Sequence, residues 1–170
     1  MTSTAAEKNQ AIAYRLSNNL SRLLREFSRD FERRIWQGVH ARGHTDIRPS
    51  HSAVLANLGM GAVRVTELAE RAQVTQQAMG KMLKELERMG YVARDIDDGD
   101  KRAKEIRLTE RGMALAADSL EVVEQVRSYY ESRIGAAELD ELEDKLRSAV
   151  RKLQLEYLPE TWAEPAPEAP

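Results

Sequence analysis

The side chains whose types and spacing could do chemistry in this 170-residue chain are amides and cations on one short segment. Thr75, Gln76 and Gln77 are followed by Lys81 and Lys84, while Ala78, Met79, Met82, Leu83 and Leu86 keep the 3.6-residue period of a helix. A glutamine can pair bidentately with adenine in the major groove, and a lysine can reach guanine or a phosphate. Gly80 sits mid-segment at a cost of about 1 kcal/mol relative to alanine. Close approach of the backbone to DNA would explain it. The same polar groups would also suit an ordinary solvated helix face.

A second charged group follows at Asp97, Asp98, Gly99, Asp100, Lys101, Arg102 and Lys104. Arg102 suits insertion into a narrow minor groove, where negative potential is enhanced. Asp100 could hold that guanidinium by a charge-assisted hydrogen bond. Five acids match five bases from Arg94 to Arg107, so a charge-balanced solvent loop is the competing reading.

Other chemistry finds little support. Cysteine is absent, which removes disulfides, thiolate metal sites and thiol nucleophiles. There is no Gly-rich phosphate loop and no Gly-x-Ser-x-Gly elbow, so no catalytic residue and no cofactor is expected. His40 and His44 have the i, i+4 spacing of a helical metal pair, but Gly43 intervenes and only Asp46 lies near. No metal is expected. Arg33, Trp36, His40 and His51 could together hold an aromatic anion by stacking and charge. The competing reading makes Trp36 a core residue and the histidines surface or capping groups.

These residues need elements to position them. Ile12, Leu16, Leu20, Leu23, Phe27, Phe31 and Ile35 form one apolar stripe, which predicts a single helix over about 7–40. Such a helix would be about 50 Å long, more than a small domain can cover, and so calls for a partner. Ser50 is expected to cap a short helix carrying Ala53, Val54, Leu55 and Leu58. Val63-Arg64-Val65 reads as extended, and Thr66 as the cap of a helix through Ala72. Thr75 caps the amide-bearing helix and Gly90 stops it. Two short helices around a tight turn make a helix-turn-helix. Extended pieces at 91–94 and 104–108 around Asp98-Gly99 make a hairpin. Thr109 caps a long helix to about Arg133. After Gly135 a Leu-rich helix runs through Leu139, Leu142, Leu146, Val150, Leu153 and Tyr157. The acidic Pro/Ala stretch 159–170 is expected to be disordered.

Composition agrees with a soluble, charged, helical protein: 42% hydrophobic and 32% charged residues, with aromatics at only 5%. Net charge is −2, which gives no bulk signal for nucleic acid. Local charge is uneven. Seven arginines fall between Tyr14 and Arg42, whereas 136–170 holds nine acids. Affinity for DNA depends on phosphates neutralised locally rather than on net charge. No apolar run reaches the roughly 18 residues of a membrane span, and 1–10 lacks the layout of a secretory signal. A cytoplasmic location is therefore expected, with no membrane partner.

Helix-turn-helix followed by a charged hairpin is the winged-helix order, and at this point the chain resembles the MarR-type (multiple antibiotic resistance) regulators. The resemblance runs through 50–55, 66–69, 75–79, Leu86-Glu87-Arg88-Met89-Gly90-Tyr91-Val92, Asp100-Lys101-Arg102-Ala103-Lys104 and Ile106-Arg107-Leu108-Thr109-Glu110-Arg111-Gly112. It implies a mainly α winged helix-turn-helix fold with long N- and C-terminal dimerisation helices. It also implies a homodimer whose recognition helices enter successive major grooves of a pseudo-palindromic operator, with Arg102 at the wing tip and Asp100 its partner. On this basis 1–46 is an N-terminal dimerisation helix, 47–112 a DNA-binding lobe, 113–158 C-terminal dimerisation helices and 159–170 a tail. The expected function is a non-enzymatic transcriptional regulator, a repressor, binding double-stranded DNA. The expected contacts are Ser50, Thr75, Gln76, Gln77, Lys81, Lys84, Arg94, Asp100, Lys101, Arg102 and Lys104. The resemblance adds a small aromatic or anionic effector. A winged-helix dimer that binds proteins and not operators is the alternative, favoured by the acidic net charge and acid-rich hairpin.

Overall fold

A computed structural model describes residues 4–59, 61–96 and 104–155. Its first two helices, α1 (Ala5–Ser17) and α2 (Leu20–Ala41), replace the single long helix expected from the apolar stripe. The break has a local cause. Asn18 and Asn19 turn their side-chain amides onto the carbonyls of Tyr14, Arg15 and Leu16, ending α1. Asn19 Oδ1 then accepts the Arg22 N–H at 3.0 Å and starts α2. Short polar side chains compete with the helix ladder in this way, and the Ser-Asn-Asn signal was present in the sequence.

A 3-10 turn at Pro49–His51 leads into α3 (Ser52–Leu58), so Ser50 lies inside the turn and does not cap the helix as expected. Strand β1 (Val63–Arg64) is followed directly by α4 (Val65–Arg71). Arg64, not Thr66, holds the N-cap position, and its side chain does not cap the helix. Helix α5 (Gln76–Arg88) starts where expected, with Thr75 Oγ1 accepting the Ala78 N–H at 3.1 Å. It stops at Gly90, whose φ of +79° suits glycine. Strands β2 (Val92–Ile96) and β3 (Lys104–Leu108) are antiparallel, and β3 is central in the order β1-β3-β2. Helix α6 (Glu110–Ile134) has the expected Thr109 cap. Helix α7 (Ala136–Lys152) ends short of the expected Tyr157, and Leu153 is its C-cap. The tail 159–170 lies outside the described residues.

The core is shared by the lobe and the two long helices. Val54, Leu58, Leu68, Met79, Leu83, Leu86, Tyr91 and Ile106 are buried in the lobe, and Val39 and Val122 bury the contact between α2 and α6. Farther along that contact, Tyr130 of α6 lies 5.1 Å from the Phe27 ring and donates its hydroxyl to Asp30 at 3.0 Å. Hydrogen bonds from Arg34, then Arg33, hold the Asp30 carboxyl down at about 2.

Two glycines are needed for close approach. A Cβ on Gly38 of α2 would lie 2.5 Å from Val122 Cγ1, and one on Gly112 of α6 would lie 2.1 Å from the Tyr91 carbonyl oxygen. A side chain can rotate aside, but a carbonyl in the lobe's backbone cannot. Both Gly38→Ala and Gly112→Ala should lower stability, by about 1–3 kcal/mol for an overpacked site. Gly112→Ala should be the worse of the two in chemical denaturation, and the reverse order would contradict this reading of the two contacts.

Candidate nucleic-acid interface

The helix-turn-helix is set by chain reversal between α4 and α5. Gln73 takes a left-handed φ of +54°. That geometry lets the Gln73 and Val74 N–H groups bond the Glu70 and Ala69 carbonyls, both at 3.0 Å. Thr75 then caps α5. With Met79, Leu83 and Leu86 buried, the helix has one fixed rotation, and Gln76, Gln77, Lys81 and Lys84 are left exposed. Gln77, Lys81 and Lys84 follow one another at i, i+4 and i+7, so they share a face. The structure therefore brings these four expected contacts together with the Thr75 cap that orients them.

Gly80 lies beside that face. A Cβ built on it would meet nothing within 4 Å, so no packing inside the chain calls for glycine there.

A buried histidine fixes α5 from behind. His51 is 1% exposed; its Nδ1 accepts the Arg48 N–H and its Nε2 donates to Glu85 Oε2, each at 3.1 Å. One accepting and one donating nitrogen is the neutral tautomer's pattern. The bond from His51 draws the Glu85 carboxyl below its ordinary range. His51 thus ties the turn at Pro49–His51 to the middle of α5. Sequence reasoning placed it in a ligand site; the i, i+34 pairing with Glu85 had no local signal.

The other expected residues divide. Ser50 is exposed on the 3-10 turn. Arg94 is largely turned inward, its Nε donating to Glu87 Oε2 at 3.0 Å, which fastens β2 to the end of α5. Lys104 opens β3. Asp100, Lys101 and Arg102 lie outside the described residues.

The expected effector residues are engaged within the chain. Arg33 pairs with Asp30, His40 Nε2 donates to the Ile47 carbonyl at 2.8 Å, and His51 is committed as described. Trp36 packs half-buried against the core. His44, the other half of the unexpected metal pair, meets Tyr91 and Asp118. Among the described residues no cluster of three metal-ligating groups occurs.

Comparison with known proteins meets this geometry. Residues 45–103 match the MarR family model. A 98-residue stretch is 32% identical to the exopolysaccharide II synthesis transcriptional activator ExpG of Rhizobium meliloti, covering 58% of this chain and 50% of that protein. A 90-residue stretch is 30% identical to the HTH-type transcriptional regulator SarZ of Staphylococcus aureus, covering 53% and 60%. The chain thus matches only about half the length of these relatives. Among solved structures, reduced MarR from E. coli superposes with a TM-score of 0.68 at 23% identity, over 78% of this chain and 96% of that one. A mutant S. aureus MepR bound to an oligodeoxyribonucleotide gives 0.55 at 22%, over 80% and 99%. These likenesses establish the fold.

Replacing Gly80 tests whether its cost is internal. Gly80→Ala should raise stability by about 0.5–1 kcal/mol, read from the urea midpoint, whereas a loss would reveal a packing role. Thr75→Ala should lower it by roughly 0.5–2 kcal/mol by removing the cap.

Proposed function

We propose, from the match of residues 45–103 to the MarR family model, that the chain is a MarR-type operator-binding transcriptional repressor that works as a homodimer. The observation that carries the proposal is the exposed face of α5. Two amides and two cations stand on one capped helix whose other side is locked into the core, beside a mid-helix glycine with open space around it. A recognition helix reads bases chiefly through its N-terminal residues, which here are Gln76 and Gln77. Lys81 and Lys84 lie farther along, where a phosphate is the more natural partner. Arg102, with Asp100 beside it and Lys101 and Lys104 flanking, would enter the neighbouring minor groove. Arg94, engaged with Glu87, would act by holding the strand that carries the wing.

The dimer rests on uncovered apolar surface. The stripe of α2 is half-buried at Phe31 and Ile35 but open at Leu20, 72% exposed, and Leu23, 58%. On α1 the same stripe is open at Ile12 and Leu16. A cleft of about 160 Å³ lined by Phe27, Val123, Tyr130, Leu142 and Leu146 lies between α2, α6 and α7. Contiguous apolar surface rimmed by charge marks an interface, and a second copy offers the same helices in return.

A small aromatic or anionic effector at Arg33, Trp36, His40 and His51 would have to compete with the pairs that Arg33, His40 and His51 already make inside the chain. The rival reading, a winged-helix dimer that binds proteins and not operators, is favoured by the acid-rich hairpin.

Gel-shift titration with duplex selected from a random pool separates the two. Arg102→Ala should weaken binding more than tenfold with the dimer intact in light scattering. Gln76→Ala should change the selected sequence, whereas Lys84→Ala should weaken every sequence alike. Absence of any selected duplex would favour the rival, and a monomeric mass at micromolar concentration would remove the dimer. In a promoter reporter, loss of the chain should raise expression; a fall would assign the activating sign carried by ExpG's name.

A further inference from the structure

The two long helices and the lobe meet at a buried chain of hydrogen bonds that the proposed function does not use. It begins at Asp46, in the loop after α2, whose Oδ1 accepts the Tyr91 hydroxyl at 2.8 Å. The Tyr91 oxygen lies 3.1 Å from His44 Nδ1, and His44 Nε2 lies 2.8 Å from Asp118 Oδ2 of α6. Arg111 of α6 grips Asp46 at 3.1 Å and covers the Tyr91 ring at 4.2 Å. Arg42 approaches Asp118 at 3.8 Å and Glu121 at 3.4 Å. The ring of His44 is therefore faced by Asp118 on α6 and Tyr91 at the head of β2, with Asp46, Arg111, Arg42 and Glu121 one step beyond.

Counting protons decides what this chain requires. Asp46–Tyr91–His44–Asp118 has three links and ends on two carboxylates, which only accept. Three protons must lie between them. Tyr91 has one, and it goes to Asp46, so both nitrogens of His44 must donate. A neutral imidazole has a single N–H and leaves one link unmade. His51 is the contrast, with one donor and one acceptor around it. Tyr91 keeps its proton: burial, then the bond to Asp46, pushes its hydroxyl up to about 12. Asp46 stays ionised, since burial raises it but the bonds from Tyr91 and its own backbone, and Arg111, outweigh that. The His44 side chain is only 10% exposed, and a buried cation needs such partners. It also lies just past the C-terminus of α2, the end that favours positive charge.

We propose that His44 joins the long helices to the DNA-reading lobe as a doubly protonated imidazolium, making it a proton-dependent positioning residue for operator binding. The consequence for DNA rests on the proposed function; the protonation state does not. Every link is made while the ring holds both protons. With a single proton on the ring, one link is lost: either Asp118 withdraws from α2, or Tyr91 turns from Asp46 to serve the bare nitrogen. The lobe, carrying α5 and the wing from Tyr91 onward, then loses one of its ties to the long helices.

The chain has only three histidines, so ring-nitrogen NMR resolves each. In the intact protein at pH 6, both His44 nitrogens should show protonated shifts while His51 keeps one bare nitrogen. A bare His44 nitrogen at pH 6 would overturn the proposal whatever the DNA result. Affinity for a duplex selected from random sequence should fall at least fivefold between pH 6 and pH 8.5 in the natural chain. In His44→Gln, which cannot titrate, the fall should be less than twofold. Tyr91→Phe, which keeps the ring and removes the acceptor, should flatten the profile in the same way. Parallel profiles in all three proteins would overturn the coupling. If no duplex is bound at any pH, the regulator reading and the coupling fail together, and the NMR result alone decides the imidazolium.

Discussion

A buried tyrosine is the constraint around which the lobe is assembled. Tyr91 is fully enclosed, yet it carries a hydroxyl, and an unmatched buried polar group costs about 1–3 kcal/mol. The hydroxyl reaches Asp46 and His44, beyond the lobe's own secondary structure. Its backbone is equally occupied. The Tyr91 N–H closes the end of α5 on the Leu86 carbonyl at 2.9 Å, and its carbonyl accepts the Thr109 N–H at 3.1 Å, where α6 begins. One residue thus links the end of α5, the start of β2, the loop after α2 and the start of α6. Gly112 follows from this: any side chain there would strike the Tyr91 carbonyl. Gly90 follows too, since the chain must reverse at positive φ to bring Tyr91 inward.

The long helices obey a different logic. Within the lobe, apolar residues find partners in their own chain. Along α2 that cover runs out between Phe31 and Phe27, and toward the N-terminus the same stripe meets only solvent. Because the period does not change at that point, the apolar stripe is continuous while this chain covers only part of it. The Asn18–Asn19 break does not alter this argument. It ends one helix and starts the next, each with its own cap, and leaves the apolar stripe on both.

Much of this was legible in the residues, and the exceptions have physical reasons. The Thr75 cap, the burial of Met79, Leu83 and Leu86, the Thr109 cap and the antiparallel hairpin follow from local rules that need no tertiary knowledge. Thr66 has the chemistry of a capping residue yet sits at the second position of α4, whose N-cap is Arg64 at the end of β1. Ser50 was misread for a similar reason: Pro49 favours a tight turn that absorbs it. The apolar period runs unbroken through Asn18–Asn19, and only the backward bonds of their amides reveal the break. Long-range pairs were out of reach altogether. Nothing in spacing says that His51 belongs to Glu85, or His44 to Tyr91 and Asp118, since each pair joins segments 34 to 74 residues apart.

Those long-range pairs also explain why the histidines divide as they do. Two buried imidazoles sit seven residues apart, one behind α5 and one where the lobe meets the long helices. Their surroundings differ by one group: the Arg48 N–H offers His51 a donor, while the Tyr91 oxygen and the Asp118 carboxylate offer His44 only acceptors. The first arrangement is complete with a neutral ring. The second is complete only with a charged ring. The two histidines therefore hold the same lobe in different ways, one behind α5 and one where the lobe meets α2 and α6. In this chain the division is set by which atom faces one nitrogen.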